Sequence, residues 1–127
     1  MNIYEKRRQF LTDTINYYSK DVSRRAVTRS PNGRVESCLY EDGRGERCAI
    51  GRVCPRELLD KWRREKKLDG PLTEFIFNEL PIDIQDLGHC FLKQCQVLHD
   101  TDRYWDANGL TLVGRIFKNS ICKDFCC

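Results

Sequence analysis

The stretch Ile84-Gln85-Asp86-Leu87-Gly88-His89-Cys90-Phe91-Leu92-Lys93-Gln94-Cys95-Gln96-Val97-Leu98 decides what kind of fold this chain adopts. Ile84, Leu87, Phe91, Cys95 and Leu98 follow at steps of 3, 4, 4 and 3, which puts five apolar side chains on one face of an α-helix. The spacing predicts a central helix over 84–98. One apolar face needs cover, and the rest of the chain has to supply it.

Upstream, Ile3, Phe10, Leu11, Ile15, Tyr18 and Val22 recur at helical spacing while Lys6, Arg7 and Asp13 fall elsewhere, so residues 3–22 read as a first helix. Ser30-Pro31-Asn32-Gly33 is turn chemistry that a helix cannot cross. Val35–Tyr40 and Cys48–Val53 are β-compatible runs either side of Glu41-Asp42-Gly43-Arg44-Gly45, which predicts a hairpin. Pro55 suits the first position of a second helix carrying Leu58, Leu59 and Trp62, with Asp69-Gly70-Pro71 as its stop. Leu72–Asn78 is a short element of open type. Downstream, Asn108-Gly109 turns the chain and Thr111 caps a last helix through Val113, Ile116, Phe117 and Ile121. The expected class is α+β: a small antiparallel β-hairpin or sheet packed with about four to five helices, in a single domain over 1–127.

Composition narrows the setting. Hydrophobic residues make up 40% and charged residues 32% of the 127, and mean hydropathy is −0.61, so a thin core sits under a heavily ionised surface. No run approaches the roughly 20 apolar residues that span a bilayer, and Met1–Arg8 is polar, without the apolar stretch of an export signal. The expected location is the cytoplasm, where the eight cysteines stay reduced. Their positions, 38, 48, 54, 90, 95, 122, 126 and 127, contain no two-residue gap of a zinc knuckle or redox pair. Cys90 with Cys95, and Cys122 with Cys126, lie near one helical turn apart and fit either a shared ion or small buried apolar groups. Neither a metal nor another cofactor is expected.

Charge is distributed unevenly along the chain although the net is only +3. Lys20, Arg24, Arg25, Arg29 and Arg34 face one acid, Asp21, over 20–34. Over 74–106, Glu74, Glu79, Asp83, Asp86, Asp100, Asp102 and Asp106 face only Lys93 and Arg103. If Ser23–Arg29 is helical, Arg24 and Thr28 share a face and Arg25 and Arg29 make a second pair beside it. Planar, permanently charged guanidinium groups fork onto oxyanions, so this patch suits phosphate oxygens; the plainer account is a solvated charged face. Arg47 and Arg52 on the expected hairpin would supplement it. Tyr104-Trp105 either anchors its loop on the core or offers a ring to a base.

His89, His99 and Asp100 beside thiols contain the parts of a nucleophile, base and orienting carboxylate. No nucleophile turn surrounds any cysteine, however, and His99 near a helix end equally fits a cation beside the helix dipole. Catalysis is not the expectation.

Cys38-Leu39-Tyr40, Asp42-Gly43, Arg47-Cys48-Ala49-Ile50-Gly51-Arg52, Leu98-His99-Asp100, Tyr104-Trp105-Asp106 and Asn108-Gly109-Leu110 together resemble a family of small phage and prophage proteins. The resemblance runs from about Phe10 to Ile121. Among phage proteins of this size, the chain is similar to the Thoeris anti-defence sponges. That resemblance implies a non-enzymatic homo-oligomer that sequesters a nucleotide-derived signal, of cyclic ADP-ribose type or a cyclic oligonucleotide, in the host cytoplasm. Cys122, Cys126 and Cys127 stand outside the family pattern. The family's ligand residues do not carry over one by one, so the ligand candidates come from the basic patch and the aromatic pair: Arg24, Arg25, Thr28, Arg29, Arg47, Arg52, Tyr104 and Trp105. Two alternatives remain: an inhibitor that covers a host or defence protein, and a small nucleic-acid binder. A net charge of +3 and a large acidic region disfavour nucleic acid.

Overall fold

Asn2 starts the first helix by accepting from Glu5 N at 2.9 Å, satisfying one of the N–H groups that a helix start leaves without a partner. The computed structural model describes residues 1–127, and this helix, α1, spans Ile3–Lys20. It buries Phe10, Leu11 and Tyr18 of the predicted face together with Thr14, while Ile3 and Ile15 are partly buried and Val22 lies beyond its end. Asp21 is extended and ends it.

The basic stretch does not continue as a helix. Val22–Arg24 is a 3-10 turn and Val27–Arg29 is strand β1. It pairs antiparallel with β2, Val35–Cys38, setting Thr28 opposite Ser37 with an irregularity before Arg29. Ser30-Pro31-Asn32-Gly33 therefore closes this hairpin. Gly33 takes φ +86° there, Ser30 N donates to Arg34 O at 2.8 Å, and β-branched Val27 and Thr28 fit the pleat.

The expected partner of Val35–Cys38 is displaced accordingly. Cys48–Val53 is not a strand: Cys48, Ala49 and Ile50 are fully buried, and Gly51–Val53 forms a 3-10 turn. Gly51 lies so close to Tyr40 that a Cβ would stand 1.9 Å from the Tyr40 carbonyl oxygen. Backbone packs on backbone here, and Ile50 N finds its acceptor in Gln96 Oε1 at 3.2 Å instead of in a neighbouring strand.

Helix α2, Arg56–Arg64, follows Pro55 and buries Leu59 and Trp62; it stops short of Gly70, with Lys66 at φ +58° just beyond. Two short helices come next, α3 at Glu74–Phe77, capped by Thr73, and α4 at Ile82–Gln85 behind Pro81. The predicted single helix over 84–98 is broken at Gly88, which takes φ +98°, and α5 runs from His89 to Asp100. Apolar spacing survives the break because Leu87 still reaches the core, and Arg7 Nε donates to its carbonyl at 2.8 Å. After a 3-10 turn at Asp102–Tyr104, a second hairpin joins β3, Trp105–Asp106, to β4, Gly109–Leu110. Thr111 Oγ1 then accepts from Gly114 N at 3.1 Å and starts α6, Leu112–Phe125.

Six helices and two small antiparallel hairpins make an α+β fold. The core is one cluster of 22 buried residues in which Phe91, Leu92, Cys95 and Leu98 of α5 are wholly enclosed. No helix is long and apolar enough to cross a membrane.

Candidate functional site

The first hairpin meets the end of α5 through two arginines. Arg25, only 7% exposed, donates from Nε to His99 O at 2.6 Å and from Nη1 to Asp102 Oδ1 at 3.0 Å. Its Nη2 is buried without any acceptor. Arg29 closes a fork on the same carboxylate, Nη1 to Oδ2 at 2.7 Å and Nη2 to Oδ1 at 3.1 Å, and also donates to Gly33 O at 2.9 Å. Hydrogen bonds from Arg29 first, then Arg25, hold the Asp102 carboxyl below the usual carboxylate range, and Asp102 in turn raises Arg29.

Beside this junction lies an open cleft of about 600 Å³. Arg34 and Ser37 from the hairpin form one wall and Asp100, Thr101, Asp102 and Arg103 form the other, with Glu36 as a further acid. Thr28 Oγ1 and Ser37 Oγ are 2.8 Å apart, so two hydroxyls share one face of the hairpin. The cleft thus combines cations, hydroxyls and acids. The cations lining it are Arg34 and Arg103; Arg25, just after the 3-10 turn, and Arg29, at the end of β1, stand behind it on Asp102 and not on the expected helical face.

The other sequence candidates are placed elsewhere. Arg24 does not share a face with Thr28: it sits in the 3-10 turn, its guanidinium 4.7 Å above the Tyr17 ring, donating to Tyr17 O at 3.2 Å. Arg52 donates to Thr14 Oγ1 at 2.9 Å and lies near the Phe10 ring. Arg47 donates to Glu41 Oε2 at 3.2 Å. Neither belongs to a strand, so both are corrected from hairpin supplements to internal braces. Tyr104 and Trp105 are 6% and 7% exposed. Tyr104 stacks on Phe117 and Trp105 Nε1 donates to Leu98 O at 2.7 Å, which makes the pair loop anchors and leaves no ring presented to a base.

His99 is also inside. Its Nδ1 lies 2.6 Å from Asp100 Oδ1, its Nε2 is buried without a partner, and its ring meets Tyr18 edge-on at 4.7 Å. Burial lowers its pKa, so the ring is neutral at pH 7 and the expected helix-end cation is absent. With an acid beside Nδ1, the proton belongs there, and the Nε2 lone pair faces the core. A ring with no exposed surface has no access to a substrate. All eight cysteines are free thiols; Cys90 is exposed whereas Cys95 is buried, so those two do not face one point.

Two features escaped the sequence reading. Asp102 stood only as one of the seven acids over 74–106, and its pairing with Arg25 spans 77 positions. Glu41 is the second: 4% exposed, it receives Arg47, Arg56 and Arg63 together. A lone acid among arginines hints at such a hub, but only the fold brings α2 against the loop after β2. No protein-family model, curated protein or solved structure matches the chain.

Proposed function

We propose that this protein is a non-enzymatic binder that captures a nucleotide-derived, phosphate-containing signal at the cleft beside Arg25 and Arg29. The observation that carries this reading is Arg25 itself: a guanidinium 7% exposed, with a buried Nη2 lacking any acceptor, directly behind Asp102, which lines an open polar cleft of about 600 Å³. A buried donor without a partner costs about 1–3 kcal/mol, and a ligand oxygen would recover it. Arg29 supplies the fork, Ser37 and Thr28 the hydroxyls, and Arg34 and Arg103 a field that draws anions in. Capture requires no nucleophile, and the histidine beside Asp100 is wholly buried.

The resemblance to phage anti-defence sponges supports the same reading: stoichiometric removal of a cyclic ADP-ribose-type signal, or a cyclic oligonucleotide, in the host cytoplasm. The homo-oligomer it implies has an apolar stripe available, since Leu112, Val113 and Ile116 on α6 are 64%, 48% and 60% exposed.

Calorimetry with cyclic ADP-ribose and a cyclic dinucleotide tests the proposal, alongside light scattering for the oligomeric mass. Wild type should bind at least one of them, release it intact on denaturation, and lose about 10-fold to 100-fold in affinity on Arg29→Ala, the worth of a charge-assisted hydrogen bond. No binding by wild type, turnover beyond one equivalent, or a folded Arg29→Ala that binds undiminished would overturn it. Native mass spectrometry separates the alternative, because an inhibitor would retain a partner protein instead of a nucleotide-sized mass.

A further inference from the structure

Resting on that phosphate-binding reading, we propose that Asp102 is an internal stand-in for the ligand's phosphate, and that the site selects ligands bearing a phosphomonoester or pyrophosphate over those bearing only phosphodiesters. Asp102 occupies the place where an anion would sit. Arg29 grips both of its oxygens and Arg25 shares Oδ1, which is how a guanidinium pair holds a phosphate.

The fit is incomplete in a way that points to the true occupant. Two carboxylate oxygens receive three hydrogen bonds, and Arg25 Nη2 is left over, enclosed and without an acceptor. A phosphomonoester, with three free oxygens and roughly 1.5 to 2 negative charges at pH 7, or a bridging pyrophosphate, with four free oxygens and two charges on adjacent phosphorus atoms, exceeds what Asp102 supplies. Either therefore offers the leftover N–H an oxygen and outbids a single carboxylate charge. A phosphodiester carries one negative charge and two free oxygens, so exchanging it for Asp102 gains nothing.

Asp102 is built to leave. Its side chain is 48% exposed, it lies on the cleft wall, and it begins a three-residue 3-10 turn instead of sitting within a long helix. Arg29 is itself 44% exposed, so its side of the fork is open to the incoming group. Asp100 and Glu36, the other cleft acids, repel whatever anion approaches, and Arg34 and Arg103 oppose them. The contest at the fork is thus decided by ligand charge, with Asp102 setting the threshold.

The test compares inorganic pyrophosphate, a 5′-nucleoside monophosphate and a linear dinucleotide with unphosphorylated ends, on wild type and Asp102→Asn, by calorimetry at pH 7. Wild type should prefer pyrophosphate over the dinucleotide by about tenfold or more. Asp102→Asn should tighten dinucleotide binding by about tenfold and narrow that preference. Because this variant also weakens the tie between hairpin and α5, a second readout uses wild type alone: the Asp102 carboxyl carbon resonance should move on saturation with pyrophosphate. Binding of pyrophosphate with that resonance unmoved, or a preference unchanged in the folded variant, would overturn the role of Asp102 and leave the phosphate site standing. Failure of both proteins to bind any of the three probes would overturn the site reading and this inference with it.

Discussion

Replacing Glu41 by glutamine removes one charge from a point where three guanidinium groups meet. Arg47 Nε donates to Oε2 at 3.2 Å and Arg56 Nη1 to Oε1 at 2.7 Å, with Arg56 Nη2 and Arg63 Nη2 completing the set. The carboxylate is 4% exposed, while the arginines are 27%, 46% and 51% exposed. Stranding one charge of a fully buried pair costs about 3–5 kcal/mol. Here the stranded cations reach water, which reduces the expected loss to about 1.5–2.5 kcal/mol, or about 5–12 °C in Tm for a chain of this length. The pH dependence carries a definite sign. Arg56 first, with Arg63 and Arg47, holds the Glu41 carboxyl at about 2, below its usual 4.5. A depressed carboxylate stabilises fully above the unfolded value and loses that contribution as pH falls through the folded one. Urea unfolding of wild type and Glu41→Gln at pH 7, 4.5, 3 and 2 should show a difference that is constant at neutral pH and fades by pH 2. The comparison isolates Glu41, because Asp21, Glu79 and Asp102 are depressed as well and affect both proteins alike. A difference below about 0.5 kcal/mol at pH 7, the range of ordinary surface changes, or one undiminished at pH 2, would refute the reasoning.

Gly51→Ala should destabilise by about 3 kcal/mol or more, since its Cβ would stand 1.9 Å from a backbone oxygen that cannot rotate away. Gly43→Ala, with nothing within 4 Å of the added carbon, is the matched control, and equal melting temperatures for the two variants would contradict the packing described. Alkylation of the native protein should modify Cys90 and Cys127 first, the two exposed thiols, and all eight only after denaturation. Burial pushes Cys54 up to about 12 and Cys126 up to about 11, which adds to their protection, and rapid native labelling of either would count against their placement.

What the sequence made legible were the features governed by neighbours along the chain. The apolar face of α1, the Thr111 cap of α6 and the turn at Ser30–Gly33 are local in origin, and each stands where its residues indicated. Pairing was another matter. Val35–Cys38 has β-compatible runs on both sides, and only burial of Cys48–Ile50 against Tyr40 and Gln96 removes the downstream one from contention. Gly88 shows the limit of periodicity: spacing of 3 and 4 persists through a glycine at positive φ because Ile84 and Leu87 before it and the buried face of α5 after it pack against one core. At the candidate site, Arg25 and Arg29 were visible as cations, but the turn and strand that orient them and the acid that holds them were not.

That acid changes what the charge pattern means. Along the chain, a basic stretch at 20–34 and an acidic one at 74–106 look like two separate surfaces. In the fold they meet, because Arg25 and Arg29 come from the first and Asp102 from the second. Arg47, Arg56 and Arg63 likewise converge on Glu41. A net charge of +3 is therefore a poor measure of attraction for anions, since several cations are already engaged by internal carboxylates. The two hubs differ in one respect that matters for function. Glu41 is enclosed and its donors surround it, so exchange would require burying an anion and expelling another from the interior. Asp102 is half-exposed on an open cleft beside a donor that lacks an acceptor, so the proposed exchange would need no anion expelled from the interior and would give that donor a partner. The same ion-pair chemistry thus fastens the fold at one hub and lines the proposed ligand site at the other, and the accessibility of the carboxylate is what separates them.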